Sequence, residues 1–417
     1  MSNWIRGITF NLLTLIVAGG MGAMAQTLTT IHDFGSRGDG ENPQAGVVFD
    51  QAGNLYGTTA LGGNQVGDGI VFSLTPPDGE GGPWTEAILH GFRGQPDGSS
   101  PVSSLVIFSS GRLFGTTLEG GDHNMGTVFE VKLTGNPDEP AKERVLYSFG
   151  SFAGDGIAPN AALLPAHPGF YGVTRDGGAN GRGTVFQLTP PDGGGNEWTE
   201  TILYSFTDSG DAAFPSSDLI MDQAGNLYGT TLLGGVNNLG AVYQLSPPDS
   251  KEGGWTETVI FSFSGPDGSL PFGRLQFDQS GNLYGTTDGG GSGQAGTVFQ
   301  LTPSPQPGVS WSESVLYSFS GGIDGGNPVA GVIIDNRGRL LGTASTGGSG
   351  PLSGGVIFRL DPPAHEGNPW TETVLHSFGG PDGFRPLGRL VGRENGLYST
   401  TSAGGLNGTG TVFVLTQ

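Results

Sequence analysis

From Gln26 onward the apolar residues come in short runs that alternate with polar ones, and no stretch carries a 3.6-residue apolar period. Four such runs lie within residues 274–319: Arg274 to Phe277, Asn282 to Thr287, Thr297 to Thr302 and Ser312 to Phe319. Each is rich in β-branched and aromatic residues and is bounded by Gly, Pro, Asp or Asn, which is the pattern of half-buried strands separated by turns. They predict four strands, A to D in chain order. A tight Asp-Gln-Ser-Gly hairpin joins A to B, a glycine-rich loop joins B to C, and a proline-rich excursion ending near a Trp joins C to D.

This unit recurs. A Gly-Thr-Thr-like block follows an aromatic residue or leucine at Tyr56, Phe114, Tyr171, Tyr228, Tyr284, Leu341 and Tyr398, at spacings of 56 to 58 residues. A Gly-Thr-Val-Phe element ends at Phe72, Phe129, Phe186, Tyr243, Phe299, Phe358 and Phe413, and a Leu-Tyr-Ser-Phe element ends at Phe34, Phe92, Phe149, Phe206, Phe263, Phe319 and Phe378. Four antiparallel strands cannot cover both faces of their own sheet, and stacking neighbours about an axis does so. A period above 40 residues with four strands per unit reads as propeller blades. The expectation is therefore an all-β, seven-bladed β-propeller with four antiparallel strands per blade. The chain enters on a D-type run, Thr27 to Phe34, and its last run, Gly410 to Thr416, is C-type. The N-terminal strand is thus expected to complete the last blade and close the ring, leaving no orphan edge.

The motifs resemble those of the Gloeo/Verruco, or GloVer, tandem-repeat proteins, which are secreted bacterial proteins. The matching elements are Gly53 to Thr59 with Gly62-Gly63, Gly225 to Thr231 with Gly234-Gly235, and Gly281 to Thr287 with Gly296 to Phe299. The resemblance runs over residues 26–417 and implies architecture; it assigns no catalytic residue.

Residues 1–25 read as a secretory signal, with Arg6, an apolar stretch around Phe10 to Ala18, and the small-x-small pattern Ala23-Met24-Ala25. The expected product is a single propeller domain over 26–417, secreted, periplasmic or extracellular, with no membrane span. Turn formers abound, at 80 Gly and 28 Pro, and are periodic rather than scattered. Zero Cys excludes disulfides, thiolate metal sites and cysteine nucleophiles. A net charge of −21 argues against nucleic acid and anionic membranes and leaves cations, neutral glycans or basic proteins, with a monomer expected.

Antiparallel order places the B-to-C and D-to-A loops at one end, called the top. Every D-to-A loop carries an aspartate before a proline: Asp39, Asp97, Asp155, Asp211, Asp267, Asp324 and Asp382. They read as a carboxylate ring at the channel mouth that could collect calcium, or as Asp-Gly turns bonded to their own backbone. A feature present in every repeat favours the turn. Departures from the repeat are better guides to function. In the B-to-C loops, blade 2 has Glu119, Asp122 and His123, blade 3 has Arg175, Asp176 and Arg182, and blade 5 has Asp288. Glu119, His123, Arg175 and Asp176 are candidates for acid–base work on a sugar or ester, with solvated loop charges as the alternative. The third residue after each strand-A proline is charged only at Asp218, Arg274 and Arg389, which marks a polar axial site or an Asp218–Arg274 salt bridge between adjacent blades.

His32, His90 and His376 replace the strand-D Tyr in three consecutive blades. Strand D is outermost, so the three rings should stand too far apart to share an ion and read as packing residues in place of Tyr. Trp84, Trp198, Trp255, Trp311 and Trp370 should pin the C-to-D excursion. No cofactor is expected, with calcium at the aspartate ring as the alternative, and no Gly-x-Ser-x-Gly, His-Glu-x-x-His or phosphate-loop motif is present. Together these features favour non-enzymatic recognition or scaffolding through the top face and channel. The alternative is a carbohydrate-active lyase or hydrolase acting near blades 2 and 3.

Overall fold

The computed structural model describes residues 26–416 except 36–37, 64–66, 80–81, 135–138, 193–196, 208–209, 251–252, 305–310 and 366. The signal reading at 1–25 lies outside the described residues. Seven antiparallel sheets stand as the blades of a β-propeller. Among the described residues no helix is long and apolar enough to cross a membrane.

Blade 5 shows the plan, with strands Gln276–Phe277, Leu283–Thr287, Thr297–Thr302 and Ser312–Ser318 in order A to D. Strand A is shorter than the alternation predicts, because Arg274 bridges to Gly331 of the next blade instead of to its own strand B. The last sheet joins Val391–Arg393, Gly396–Thr401 and Thr411–Thr416 to the N-terminal strand Thr27–Asp33. Register runs antiparallel from Thr27 opposite Thr416 to Asp33 opposite Thr411, so the first strand does close the ring.

The three sequence markers have separate packing roles. The Phe that ends strand D of one blade meets the aromatic of strand C in the next, as in Phe34 with Phe72, Phe206 with Tyr243 and Phe378 with Phe413. All seven seams hold such an edge-to-face pair, with ring centroids 5.0 to 5.2 Å apart. The Gly of Gly-Thr-Thr makes room for that ring: a Cβ on Gly285 would fall on the Phe299 Cζ. The first Thr binds the neighbouring blade; Thr230 Oγ1 donates to Pro271 O at 2.9 Å and Thr400 Oγ1 to Ala45 O at 2.8 Å. The second Thr pairs across strands B and C, as Thr287 with Thr297 at 2.9 Å.

The A-to-B turn explains the Asn-Leu-Tyr element. Asp278 accepts from Asn282 N and Nδ2 and from Tyr284 OH, and Asp50 and Asp222 repeat this arrangement. In all seven blades the C–D ladder also slips by one residue near its top, where residues such as Ile31, Leu89 and Leu146 are bulged out of register.

Candidate functional site: the axial waist

The lead into strand A fixes what faces the axis. The residue before each proline, Asn42, Ser100, Ala158, Phe214, Leu270, Asn327 and Arg385, has φ between 55° and 61°. Such left-handed backbone is unfavourable for all of these but the two asparagines, and is held here by bonds on both sides. Leu270 N, for example, donates to Leu239 O of the preceding blade at 2.9 Å, and its carbonyl accepts from Asp288 N at 3.0 Å. The third residue after the proline then turns inward.

Gly46, Ser104, Asp218, Arg274 and Arg389 line both an upper cavity of about 510 Å³ and a lower one of about 270 Å³, so they form the waist between them. Asp218 Oδ1 accepts from Ala162 N at 2.8 Å, and Arg389 Nη2 donates to Gln276 Oε1 at 2.9 Å. The Nε of Arg274 and of Arg389 is buried with no hydrogen-bond partner. No Asp218–Arg274 ion pair forms among the described residues, because Asp218 turns to the Ala162 amide instead. Burial and then the adjacent Arg274 charge push the Arg389 pKa down to about 10, with Asp218 acting in the opposite sense. The waist therefore carries more positive charge than its own carboxylate neutralises.

Of the loop candidates, Arg175 lines the upper cavity and its Nε pairs with Asp176 at 2.9 Å. Arg182 lies over the Phe214 ring at 5.0 Å, and Asp288 sits in the hydrogen-bonded lead to strand A described above. Glu119 is exposed on a two-residue ladder with Ser99. His123 and Asp122 line a different cleft of about 620 Å³, beside strand D of blade 2 and Trp198. The fold does not gather all four: Arg175 pairs with Asp176 and lines the upper cavity, whereas His123 lines the cleft beside strand D and Glu119 lines neither.

The repeated aspartates take the turn role favoured above, each bonded to nearby backbone in the loop that follows strand D, and none lines the upper cavity as a carboxylate ring would. Asp155 accepts from Ser151 N, Gly156 N and Tyr147 OH, and Asp211 accepts from the equivalent groups. His90 and His376 take the Tyr place, at 3.0 Å from Asp97 and 2.7 Å from Asp382. Burial works against the Asp382 carboxylate, but bonds from His376 and Gly379 N outweigh it and hold its pKa below the ordinary value. The tryptophans pin neighbours: Trp255 packs on Tyr171 and Trp311 on Tyr228 of the preceding blade.

One set of groups escaped the sequence reading although its signal was the repeat itself. The glutamate at the second position of strand D, in blades 1 to 6, reaches the aspartate of the preceding seam. Burial, and then the facing aspartate, push Glu200 and Glu257 up to about 8. Glu143, Glu313 and Glu372 rise to about 7 for the same reasons. Glu86 also reaches about 7, through burial opposed by His32 and reinforced by Asp39. A second unanticipated group is Glu130, 3% exposed between Arg112 and Arg144, where the other blades carry Ser73, Gln187, Gln244, Gln300, Arg359 and Val414.

The architecture so described defines a seven-bladed propeller with a cationic waist. The sequence matches the Gloeobacter/Verrucomicrobia repeat over residues 21–164, 67–290 and 275–417, and the chain belongs to that family. No curated protein matches it. Among solved structures it is similar to PorZ, a bacterial surface component of the type-IX secretion system of Porphyromonas gingivalis, with 16% identity and a TM-score of 0.55 over 92% of this chain and 48% of that one. It is also similar to the extracellular domain of a putative hybrid two-component system from B. thetaiotaomicron, with 11% identity and a TM-score of 0.50 over 93% of this chain and 39% of that one. The chain thus spans less than half the length of each, and the likeness is one of fold.

Proposed function

We propose that this protein is a secreted, non-enzymatic recognition module whose waist captures an anionic group, with an acidic glycan as the first ligand class. The observation that carries this reading is the pair of arginines, Arg274 and Arg389, that line a cavity of about 510 Å³ beside a single carboxylate, Asp218, in a chain of net charge −21. Guanidinium forks bind carboxylate or sulfate through paired, charge-assisted hydrogen bonds, and burial strengthens them. An entering carboxylate would balance the guanidinium charge that Asp218 leaves over. The acidic exterior repels long polyanions, which favours a single terminal acidic sugar over a nucleic acid.

The test is binding of the full chain to immobilised uronate-containing and neutral oligosaccharides, with the double variant R274Q/R389Q alongside. Binding should be restricted to acidic sugars, weaken as salt rises, and fall at least about 10-fold in the variant. Equal binding to neutral sugars, or binding unchanged in R274Q/R389Q, would overturn the reading. Release of shortened products from an acidic polysaccharide would overturn its non-enzymatic part.

A further inference from the structure

We propose that His32, Asp39 and Glu86 form a binding site for a zinc-type divalent ion at the seam where the ring closes. His32 lies on the N-terminal strand of blade 7, Asp39 on the loop into blade 1, and Glu86 on the outer strand of blade 1. One ligand atom from each falls within 4.8 Å of the others. His32 Nε2 is 3.5 Å from Asp39 Oδ2 and 3.7 Å from Glu86 Oε1. Those separations are long for hydrogen bonds but close to the edge of a tetrahedron with metal–ligand bonds of about 2.0–2.2 Å, roughly 3.3–3.6 Å.

The donor state agrees with the spacing. His32 Nε2 and Glu86 Oε1 are both buried without a hydrogen-bond partner. Asp39 is 6% exposed, and its two oxygens are oriented by Gly40 N and Gly35 N, as supporting bonds orient a metal carboxylate. One imidazole and two carboxylates suit zinc, whose fourth position a water would fill; calcium and magnesium prefer oxygen alone.

The related seams serve as internal controls. At the next one His90, Asp97 and Glu143 also bring ligand atoms within 4.8 Å of one another, but there His90 already bonds Asp97 directly at 3.0 Å. At the preceding one His376 bonds Asp382 at 2.7 Å, and Leu28 stands where the glutamate would be. An ion held by His32, Asp39 and Glu86 would tie the closing strand to blade 1, whereas its ladder ties it only to the C-terminal strand.

The experiment titrates Co²⁺ into the untagged, chelator-treated full chain, following visible d–d absorption, with Zn²⁺ as competitor. One equivalent of Co²⁺ should give tetrahedral bands that Zn²⁺ displaces, and Zn²⁺ should raise the Tm. H32Y installs the residue that other blades carry there and should weaken binding more than about 10-fold. E86Q, which keeps side-chain volume, should do the same, while H90Y should leave the spectrum intact. Absence of tetrahedral bands, or bands retained in both H32Y and E86Q, or bands lost in H90Y, would overturn the site.

Discussion

The outer seams and the axial waist of this ring are built by opposite rules. Each seam reuses one inventory, the edge-to-face aromatic pair. The waist takes the same backbone position in every blade and fills it differently, with Gly46, Ser104, Ala162, Asp218, Arg274, Gly331 and Arg389. Repetition marks what holds the propeller together, because every interface has the same problem to solve. Variation at a geometrically identical position marks what the propeller can present. Substitutions should therefore harm stability at the seams and ligand capture at the waist.

The largest effect expected is at a seam ring. Phe299→Ala empties the site packed by Phe263 and Gly285, and should lower stability by about 3–5 kcal/mol in urea unfolding. A loss under about 1 kcal/mol would show that the seam rings do not hold the propeller together.

Acidity should act on the seams next. The raised glutamates bind protons up to pH 7 or 8 in the folded chain, against an ordinary value of 4.5 when unfolded. Their stabilisation is whole below 4.5 and is lost as pH rises through 7 to 8. Asp39, Asp50, Asp335, Asp382 and Glu130 are held low, so their contribution is lost only as pH falls below their ordinary values. The Tm should be higher at pH 5.5 than at pH 8.5, by roughly 5 °C, and E200Q should flatten the profile. A Tm that rises toward pH 8.5 would show that these carboxyls are ionised in the fold.

Thr400→Val, at the last-to-first junction, removes the bond to Ala45 O and should lower stability by about 0.5–1.5 kcal/mol by the same unfolding assay. The smallest stability effect belongs to the waist. Arg389→Gln relieves repulsion from Arg274 and should leave the Tm within about 2 °C of wild type or above it while acidic-glycan binding falls. A large drop in Tm would make Arg389 a packing residue.

Blade number, strand order and ring closure were all legible in the chain, because each follows from period, alternation and the complementary phase of the first and last runs. The candidate site was legible only in part. Asp218, Arg274 and Arg389 stood out as charged departures at one repeat position, and the fold gathers them. Glu119 and His123 stood out equally and are not gathered with Arg175. Sequence offsets along a loop do not record which end of that loop faces the axis. The glutamates of strand D were hidden for the opposite reason, since they repeat.

Blade count and the joining of the ring follow from the chain alone, because strand period and turn chemistry are local and were present seven times. Which side chains meet between blades depends on the packed ring. Glu86 and His90 are four residues apart and would share one face of an unbroken strand. The bulge at Leu89 reverses the phase, so Glu86 faces the preceding blade and His90 the following one. That one-residue slip is set by the partner strand and leaves no mark in the alternation, yet the interlocking seams depend on it.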